Sequence, residues 1–285
     1  MSSVLVLGGA GFIGSSLIRR LVQYNLKVIS LDNYSSGSVD NHIDGATYLN
    51  GNVNQVNNLV TDDIDIVFHF GEYSRVEPSF KKQDLVFESN LNSIYSVLKF
   101  CQTNNAKLIY AGSSSGFAAY EQHQVSPYTF IKKINVDIIN QFSLWNSIDY
   151  AIVYFYNAYG EGEIGSGEYS TVVERFIQMK IFGHEFAEVH GTGEQTRNFT
   201  YIQDIINALM IVSDKGNGDG YGIGCDKSWS INNLCSMVGL KPKYVGDVKG
   251  NRYFAPLNTK KTKDLGWNWE KSLEDYVNAR LKRES

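Results

Sequence analysis

Tyr128 and Lys132 are four residues apart in the stretch SPYTFIKK, and on a helix this spacing places both side chains on one face. A protonated phenol is a poor base at neutral pH. A neighbouring ammonium group stabilises the phenolate and makes the proton easier to remove. The pair could therefore take a proton from an alcohol while hydride leaves the same carbon for a bound acceptor.

The Y-x-x-x-K spacing alone is weak evidence, because the chain contains 18 tyrosines and many lysines. Random placement would produce about one such pair, and a second pair, Tyr95 and Lys99, occurs in an apolar helical pattern that indicates packing. Only Tyr128 follows a serine cluster, GSSSG, at the end of a predicted strand, where ligands bind in open α/β sheets. A hydroxyl of this cluster could donate to the reacting oxygen. A turn that caps the strand is the alternative interpretation.

The stretch LVLGGAGFIG places glycines between a predicted strand and a predicted helix. Gly9, Gly11 and Gly14 fit G-x-G-x-x-G, and Gly8, Gly11 and Gly14 fit G-x-x-G-x-x-G. Glycines at these positions allow a tight turn and the close approach of a pyrophosphate to the backbone, with the N–H groups of the helix N-terminus facing the anion. This context predicts a dinucleotide-binding loop.

Asp32 closes the second predicted strand, KVISLD, and lies eighteen residues after Gly14. A carboxylate at this point accepts hydrogen bonds from both hydroxyls of an adenosine ribose and repels a 2′-phosphate. The following residues, NYSSGS, contain no arginine that could bind such a phosphate. The sequence therefore predicts NAD rather than NADP as the cofactor.

Apolar strands alternate with helical patterns through the first half of the chain, and this alternation predicts an α/β fold with a Rossmann doubly wound parallel sheet. Helices are expected over 13–24, 80–101, 171–182 and 273–282, with a further one from Tyr128. We expect an NAD-binding Rossmann domain over 1–160, with a return segment near 199–224. A smaller C-terminal α/β substrate lobe is expected over 161–285.

Composition argues against several classes of function. The 285 residues carry a net charge of −4 with scattered Lys and Arg, so we expect no nucleic-acid partner. No apolar stretch reaches the roughly 20 residues of a membrane helix, and MSSVLVLGG is interpreted as a strand rather than a signal peptide. Three irregularly spaced cysteines predict a cytoplasmic protein. The five histidines lack metal-ligand spacing, so no metal site is expected.

On these motifs the chain resembles the NAD-dependent nucleotide-sugar epimerases and dehydratases of the extended short-chain dehydrogenase/reductase superfamily. The specific signals are GGAGFIG, SPYxxxK and GTGEQTRNFTYIQDI, with supporting similarity in KTKDLGWNWEKSLEDY. The resemblance implies the two-lobed fold, NAD as cofactor and a nucleotide-diphosphate sugar as substrate. It also implies a homodimer through two helices of each subunit, which would begin near Phe80 and Tyr128.

The resemblance further implies roles for residues at matching positions. Tyr128, Lys132 and Ser113 would be catalytic, with Ser114 as the alternative serine because the link to Tyr128 is shorter than usual. The cofactor would be bound by Gly8, Gly11, Phe12, Ile13, Gly14, Asp32, Asn33, Asn52, Val53, Phe70, Gly71, Asn90, Tyr128, Lys132 and Phe155. The sugar nucleotide would be bound by Ser74, Asn157, Arg197 and Arg252, and the two arginines would hold its diphosphate.

Glu72 stands where members of this family usually have a small residue. Two roles are open for its carboxylate, which could contact the sugar or form an ion pair with Arg75. The ion pair is our expectation.

The expected reaction follows from catalytic groups that the sequence lacks. Family members that eliminate water carry Asp-Glu directly after the catalytic residue, and here Ser114 and Ser115 occupy those positions. The glutamate of decarboxylating relatives and the Cys and His of 3,5-epimerising reductases also have no match. Tyr128, Lys132, a serine and NAD suffice for reversible oxidation of one sugar hydroxyl, so we expect epimerisation at C4 of a UDP-sugar. The alternatives are a nucleotide-sugar dehydrogenase or 4-keto-sugar reductase, and a non-catalytic dinucleotide-binding regulatory module.

Overall fold

Strands and helices alternate through the first half of the structure, a computed structural model that describes residues 2–115, 125–247 and 256–284. The elements are β1 (Ser3–Leu7), α1 (Phe12–Gln23), β2 (Lys27–Asp32), β3 (Ala46–Asn50), α2 (Val56–Leu59), β4 (Ile66–His69), α3 (Gln83–Val86), α4 (Asn92–Asn104), β5 (Lys107–Ser113), α5 (Pro127–Asn146) and β6 (Tyr150–Phe155). Short 3-10 turns occur at Val39–Asn41, Val53–Gln55 and Pro78–Phe80, and a π-helical turn at Phe87–Leu91.

Shorter elements follow β6 along the chain. They are β7 (Ala158–Tyr159), α6 (Val172–Ile181), β8 (Phe186–His190), β9 (Thr196–Arg197), β10 (Thr200–Tyr201), α7 (Ile202–Lys215), β11 (Gly218–Ile223), β12 (Trp229–Ser230), α8 (Ile231–Val238), β13 (Lys241–Val245), α9 (Lys260–Asp264) and α10 (Leu273–Glu284). The helices predicted over 13–24, 171–182 and 273–282 are present within one or two residues. The run predicted over 80–101 is interrupted by the π-helical turn.

The main sheet has seven strands in the order β11-β6-β5-β4-β1-β2-β3, and every neighbouring pair is parallel. The predicted doubly wound α/β fold is therefore confirmed. The chain builds outward from β1 in both directions, so the strand order reverses between β1 and β4. Connections on the two sides of that point leave a crevice at the carboxyl ends of the strands.

Each face of this sheet has its own apolar core, because successive side chains of a strand point to opposite faces. Leu5 and Leu7 of β1 pack in the core beneath α2, α4 and α5. Val4 and Val6 pack in the opposite core, which α1 and α7 cover. Burial on both faces explains why β1, β2 and β5 read as apolar runs without polar alternation.

The remaining elements form a smaller α/β lobe with a third core. β8 and β13 pair in parallel, and α6, α8 and α10 pack around Phe176, Leu234 and Tyr276. The chain returns to the large sheet in between, because α7 packs on it and β11 pairs with β6. Within the residues that the structure describes, no helix has both the length and the apolar character to span a membrane.

Asp204, at the start of α7, fastens the C-terminal segment to the large sheet. Asp204 is 2% exposed. Its carboxylate accepts hydrogen bonds from the backbone N–H groups of Glu270 and Lys271, at 3.1 and 3.2 Å. Its own backbone carbonyl accepts from the Trp267 indole at 2.8 Å. Burial raises the pKa of the Asp204 carboxyl, and the two N–H groups oppose the rise.

We expect Asp204→Ala to lower the free energy of unfolding by about 1–3 kcal/mol, because two backbone N–H groups would lose their acceptor. Urea denaturation measures this difference. Asp214→Ala is the matched control, since Asp214 is exposed on the same helix and should change stability by less than about 0.5 kcal/mol. Equal effects of the two substitutions would contradict the role given to Asp204.

Candidate active site

A cleft of about 580 Å³ opens at the carboxyl ends of the large sheet, between the two lobes. Loops after β1, β2, β3 and β4 form one wall, and α5 and the segment before α6 form the other. Many of the predicted site residues line it, namely Gly8, Gly11, Phe12, Ile13, Gly14, Asp32, Asn33, Asn52, Val53, Phe70, Gly71, Ser74, Tyr128, Lys132, Phe155 and Asn157. Among the described residues, no group of three or more His, Cys, Asp or Glu side chains could hold a metal ion.

The glycine loop between β1 and α1 is shaped by two close backbone approaches. Gly8 has a φ of +83°, in the left-handed region, and a Cβ there would lie 2.7 Å from the Gly71 nitrogen. A Cβ on Gly14 would lie 2.2 Å from the Gly8 carbonyl oxygen. Gly11 differs, because a Cβ there would be 3.5 Å from that oxygen, an ordinary contact. Gly11 is the N-cap of α1 and lines the cleft, and the first N–H groups of this helix have no intrahelical acceptor.

Asp32 lies at the end of β2 and is 8% exposed. One carboxylate oxygen accepts from the backbone N–H of Ala10 at 2.9 Å, and the other from that of Tyr34 at 2.8 Å. These bonds orient the carboxylate, which still has lone pairs for further donors. Beside it, the Asn33 side chain donates to Asn52 Oδ1 at 2.8 Å and joins the loops after β2 and β3.

Tyr128 and Lys132 lie in the first turns of α5, which begins with a well-formed cap. The Ser126 hydroxyl accepts from the backbone N–H of Thr129 at 3.1 Å, and Pro127 occupies the first helical position. Tyr128 is 9% exposed, and its ring packs in a small cluster with Tyr73, Val86 and Ile131. The cap therefore fixes where the phenol enters the cleft.

The Lys132 ammonium is buried under the cleft floor. It donates to the Ala111 backbone carbonyl at 2.5 Å and lies 4.6 Å from the centroid of the Tyr110 ring. The carboxylate of Glu72 is its ion-pair partner, and the two side chains are 6% and 1% exposed. An ammonium has three N–H groups, so these acceptors leave one for the cleft that Lys132 lines.

Glu72 has a full set of hydrogen-bond donors. Tyr110 Oη lies 3.1 Å from both of its carboxylate oxygens, and the Asn135 side-chain amide donates to Oε1 at 3.1 Å. The ammonium and the amide can act only as donors, so this arrangement fits an ionised carboxylate. Burial raises the pKa of the Glu72 carboxyl, and the charge of Lys132 opposes the rise.

The predicted ion pair between Glu72 and Arg75 is wrong. Glu72 turns inward to Lys132, whereas Arg75 lines the cleft and donates to the backbone carbonyl of Tyr169. The physical reason is that a carboxylate buried away from solvent needs several hydrogen-bond donors, and residues of β5 and α5 supply them. Closeness along the chain favoured Arg75, and sequence reasoning had no means of placing Lys132 beside residue 72.

His69 completes this buried cluster at the end of β4. Its Nε2 atom lies 3.4 Å from Glu72 Oε1, within ion-pair distance but not aligned as a hydrogen bond. Burial first, and the charge of Lys132 second, lower the pKa of His69 to about 3. The imidazole is therefore neutral at physiological pH, and the charges of the cluster reside on Glu72 and Lys132.

Some predicted site residues do not line the cleft. Asn90 is buried in the π-helical turn behind it, where its side chain accepts from the Tyr73 backbone N–H at 2.8 Å and donates to the Tyr73 carbonyl at 2.9 Å. Ser113 ends β5, and its hydroxyl hydrogen-bonds that of Ser115. Ser114 is buried next to it, so the choice between Ser113 and Ser114 stays a prediction.

Of the two predicted diphosphate ligands, the structure describes only Arg197. Arg197 is on β9, and its Nη1 donates to the backbone carbonyl of Thr196 at 2.8 Å. It is not among the residues found to line the cleft. Arg252 lies outside the described residues. Their role at a diphosphate stays a prediction.

Sequence reasoning missed the wall formed by the segment before α6. Ile164, Tyr169, Ser170 and Thr171 line the cleft there. The segment reads GEGEIGSGEYS, a polar, glycine-rich composition that predicts a loop and nothing about its position. The contact of Tyr169 with Arg75, 94 positions apart, has no local sequence signal.

The NAD dependent epimerase/dehydratase family model matches residues 4–224 of the chain. The chain belongs to this family. Its relatives include a candidate UDP-glucose 4-epimerase of Methanocaldococcus jannaschii, which is 28% identical over 96% of this chain and 95% of the relative. A decarboxylase and a 4,6-dehydratase are also among the relatives of this chain. Membership of the family therefore does not by itself identify which reaction the protein catalyses.

Two solved structures of UDP-glucose 4-epimerases have the same fold. The UDP-glucose 4-epimerase of Thermotoga maritima, with UDP-glucose, gives a TM-score of 0.90 at 24% identity over 98% of this chain and 97% of that one. The UDP-glucose 4-epimerase of Thermus thermophilus, in complex with NAD, gives 0.86 at 20% identity over 99% and 98%.

NAD is the cofactor of this family, and the cleft residues of this chain fit it. The space at Gly11 and the N-terminus of α1 suit a pyrophosphate. Asp32 presents an oriented carboxylate to a ribose at the end of β2. Lys132 and Tyr128 both line the cleft, and one N–H group of the Lys132 ammonium remains available to a ligand there.

The glycine loop gives a prediction that separates folding from cofactor binding. Gly11→Ala should change the free energy of unfolding by less than about 1 kcal/mol, yet weaken NAD binding at least roughly 10-fold by filling the space at α1. Gly14→Ala should cost about 2 kcal/mol, because its Cβ meets a backbone oxygen. Urea denaturation and calorimetric titration with NAD measure the two effects. Unchanged NAD affinity in Gly11→Ala would contradict this assignment.

A second prediction concerns the buried ion pair. Glu72→Gln should lower the free energy of unfolding by about 3 kcal/mol, because Lys132 would keep a buried charge without a counter-ion. Glu88→Gln removes an exposed carboxylate from the same cleft and should change stability by less than about 0.5 kcal/mol. Denaturation of both variants at pH 7 gives the comparison, and a loss below about 1 kcal/mol in Glu72→Gln would argue against the pair.

Proposed function

We propose that the protein epimerises a nucleotide-diphosphate sugar, with C4 of a UDP-sugar as the reacting centre. The observation that carries the proposal is the placement of Tyr128 and the buried, charged Lys132 in one cleft with the glycine loop and Asp32. This set supports reversible transfer of a proton and a hydride at one sugar carbon.

In the proposed reaction Tyr128 removes the proton of the C4 hydroxyl and later returns a proton to the same oxygen. NAD, when bound, supplies the acceptor and then the donor of the C4 hydride. Lys132 stabilises the phenolate through its charge, and Glu72 holds the ammonium in place. The substrate passes through a 4-keto sugar, which turns and accepts hydride on its other face. Oxidation and reduction balance, so no net oxidant is consumed.

The carboxylates of the cleft support epimerisation over elimination of water. Ser114 and Ser115 stand where an eliminating relative is expected to carry its acids. Of the carboxylates that line the cleft, Asp32 lies at the cofactor end of the cleft, and Glu72 is paired with Lys132. Glu88 is exposed to solvent. Two of these three carboxylates are therefore committed to other groups, and the pair of adjacent acids expected for elimination is absent from the described lining of the cleft.

A homodimer is part of the proposal, and the outer surfaces of α4 and α5 support it. Tyr95 on α4 is 61% exposed, and Leu144 and Trp145 on α5 are 76% and 75% exposed. Large apolar side chains grouped on a surface are typical of protein interfaces. These helices are the ones that the family resemblance implies for dimer formation.

Incubation of the purified protein with UDP-glucose, UDP-N-acetylglucosamine and UDP-glucuronate tests the proposal, with C4 epimers detected by chromatography. Conversion without added cofactor, by protein that retains NAD through purification, is the expected result. Turnover that consumes added NAD or NADH stoichiometrically would instead identify a dehydrogenase or reductase. If no nucleotide sugar is turned over, the proposal that the protein is an enzyme of this kind is wrong.

Tyr128→Phe should lower kcat by about 10³-fold, because the ring stays and only the proton-transferring hydroxyl is lost. Calorimetric NAD affinity should stay within about threefold of wild type. Tyr95→Phe is the matched control, since Tyr95 has the same Y-x-x-x-K spacing but lies exposed on α4, where Lys99 donates to Gln102. Equal rates for the two variants would remove Tyr128 from the mechanism.

A further inference from the structure

Arg75 carries a positive charge into the wall of the cleft that also contains Tyr128. It belongs to the loop after β4 and lines the cleft with Ser74. Burial lowers the pKa of Arg75, and the phenols of Tyr169 and Tyr128 oppose the fall. A guanidinium nevertheless stays charged at physiological pH. The protein therefore keeps a cation where the surroundings disfavour one.

The guanidinium is held at one edge, by Tyr169. Nη2 of Arg75 donates to the Tyr169 backbone carbonyl, and the guanidinium carbon lies 5.2 Å from the centroid of the Tyr169 ring. Nε is buried without an acceptor, and no described residue accepts from Nη1. The plane of the guanidinium is thus fixed, while donor capacity remains for a ligand in the cleft.

No carboxylate among the described residues lies within ion-pair distance of Arg75. Glu72 is committed to Lys132. Glu168, which adjoins Tyr169 in the chain, accepts from the Tyr73 hydroxyl at 2.6 Å and pairs with Lys82. Each of these two acids is already balanced by a lysine. Glu168 acts on Arg75 only through its charge at longer range, so among the described residues no anionic side chain forms an ion pair with Arg75.

From this arrangement we infer that the sugar bound beside Tyr128 carries an acidic group, and that Arg75 binds that group. The inference rests on the proposed function, because it names the class of sugar on which the same site acts. A carboxylate on a sugar ring is planar and accepts charge-assisted hydrogen bonds from a guanidinium edge. A neutral sugar would cover the arginine and leave the cation without a counter-ion, which is unfavourable.

The diphosphate is the other anion of a nucleotide sugar, and the test must separate the two. Calorimetry on the NAD-loaded protein first selects the tightest nucleotide among UDP, dTDP and GDP. The same nucleotide is then compared with its glucose and glucuronate conjugates. We expect the glucuronate conjugate to bind at least about 10-fold more tightly than the glucose conjugate.

Arg75→Gln should abolish this preference for the acidic sugar and leave the affinity for the free nucleoside diphosphate within about twofold. Arg75→Lys should keep part of the preference, because it retains the charge and loses the planar fork. Lys81→Gln, which removes an exposed charge nearby in the chain, should leave all three affinities unchanged.

Equal affinity of the wild-type protein for the acidic and neutral conjugates would overturn the inference. A loss in Arg75→Gln that extends equally to the free nucleotide would also overturn it, because the arginine would then bind the diphosphate. The wild-type comparison needs no variant, so it decides even if Arg75→Gln does not fold. The measurement needs no turnover, so it also remains decisive if the protein proves not to be an epimerase. Epimerisation of neutral sugars alone would retain the proposed function and reject the role of Arg75.

Discussion

The ion pair between Lys132 and Glu72 is the constraint on which the rest of the site depends. An ammonium buried at the floor of a cleft is tolerated only beside a fixed anion and further acceptors. Glu72, the Ala111 carbonyl and the Tyr110 ring supply these, and they come from the loop after β4 and from β5. The pair therefore joins the sheet to α5, and α5 in turn carries Tyr128 to a set depth beside the cofactor-binding crevice.

Glu72 and Arg75 belong to one short loop, and their side chains point to different surroundings. Glu72 faces inward, where Lys132, Tyr110 and Asn135 donate to it. Arg75 instead faces the cleft, and the Tyr169 backbone carbonyl accepts a hydrogen bond from it. The loop can hold this division because Asn90 in the π-helical turn binds the backbone of Tyr73 from behind, through both its N–H and its carbonyl. Single π turns within helices are frequent at functional sites, and here the turn contains the residue that supports the wall of the site.

Local signals made much of this fold predictable. The strand, glycines and helix of the first βα unit, the acid at the end of β2, and the Tyr128–Lys132 spacing all lie within short stretches, and each was found where the pattern indicated. The π-helical turn was not predicted, because nothing in the apolar periodicity over 80–101 marks it. The partner of Glu72 was also missed, since Lys132 lies 60 positions away and only the packing of α5 on the sheet brings the two together. The wall containing Tyr169 depends in the same way on tertiary contacts between distant segments.

The return of the chain to the large sheet has a consequence for synthesis on the ribosome. Strands β1, β4 and β5 and the N-terminal glycine loop emerge early, but α7, which covers the face carrying Val4 and Val6, is made only after the first elements of the smaller lobe. A nascent chain of 160 residues would have α1 but not α7 on this face of its sheet, and β6 would lack its neighbour β11. The core on this face and the β6 edge of the sheet are therefore completed only by segments that leave the ribosome after the first elements of the smaller lobe.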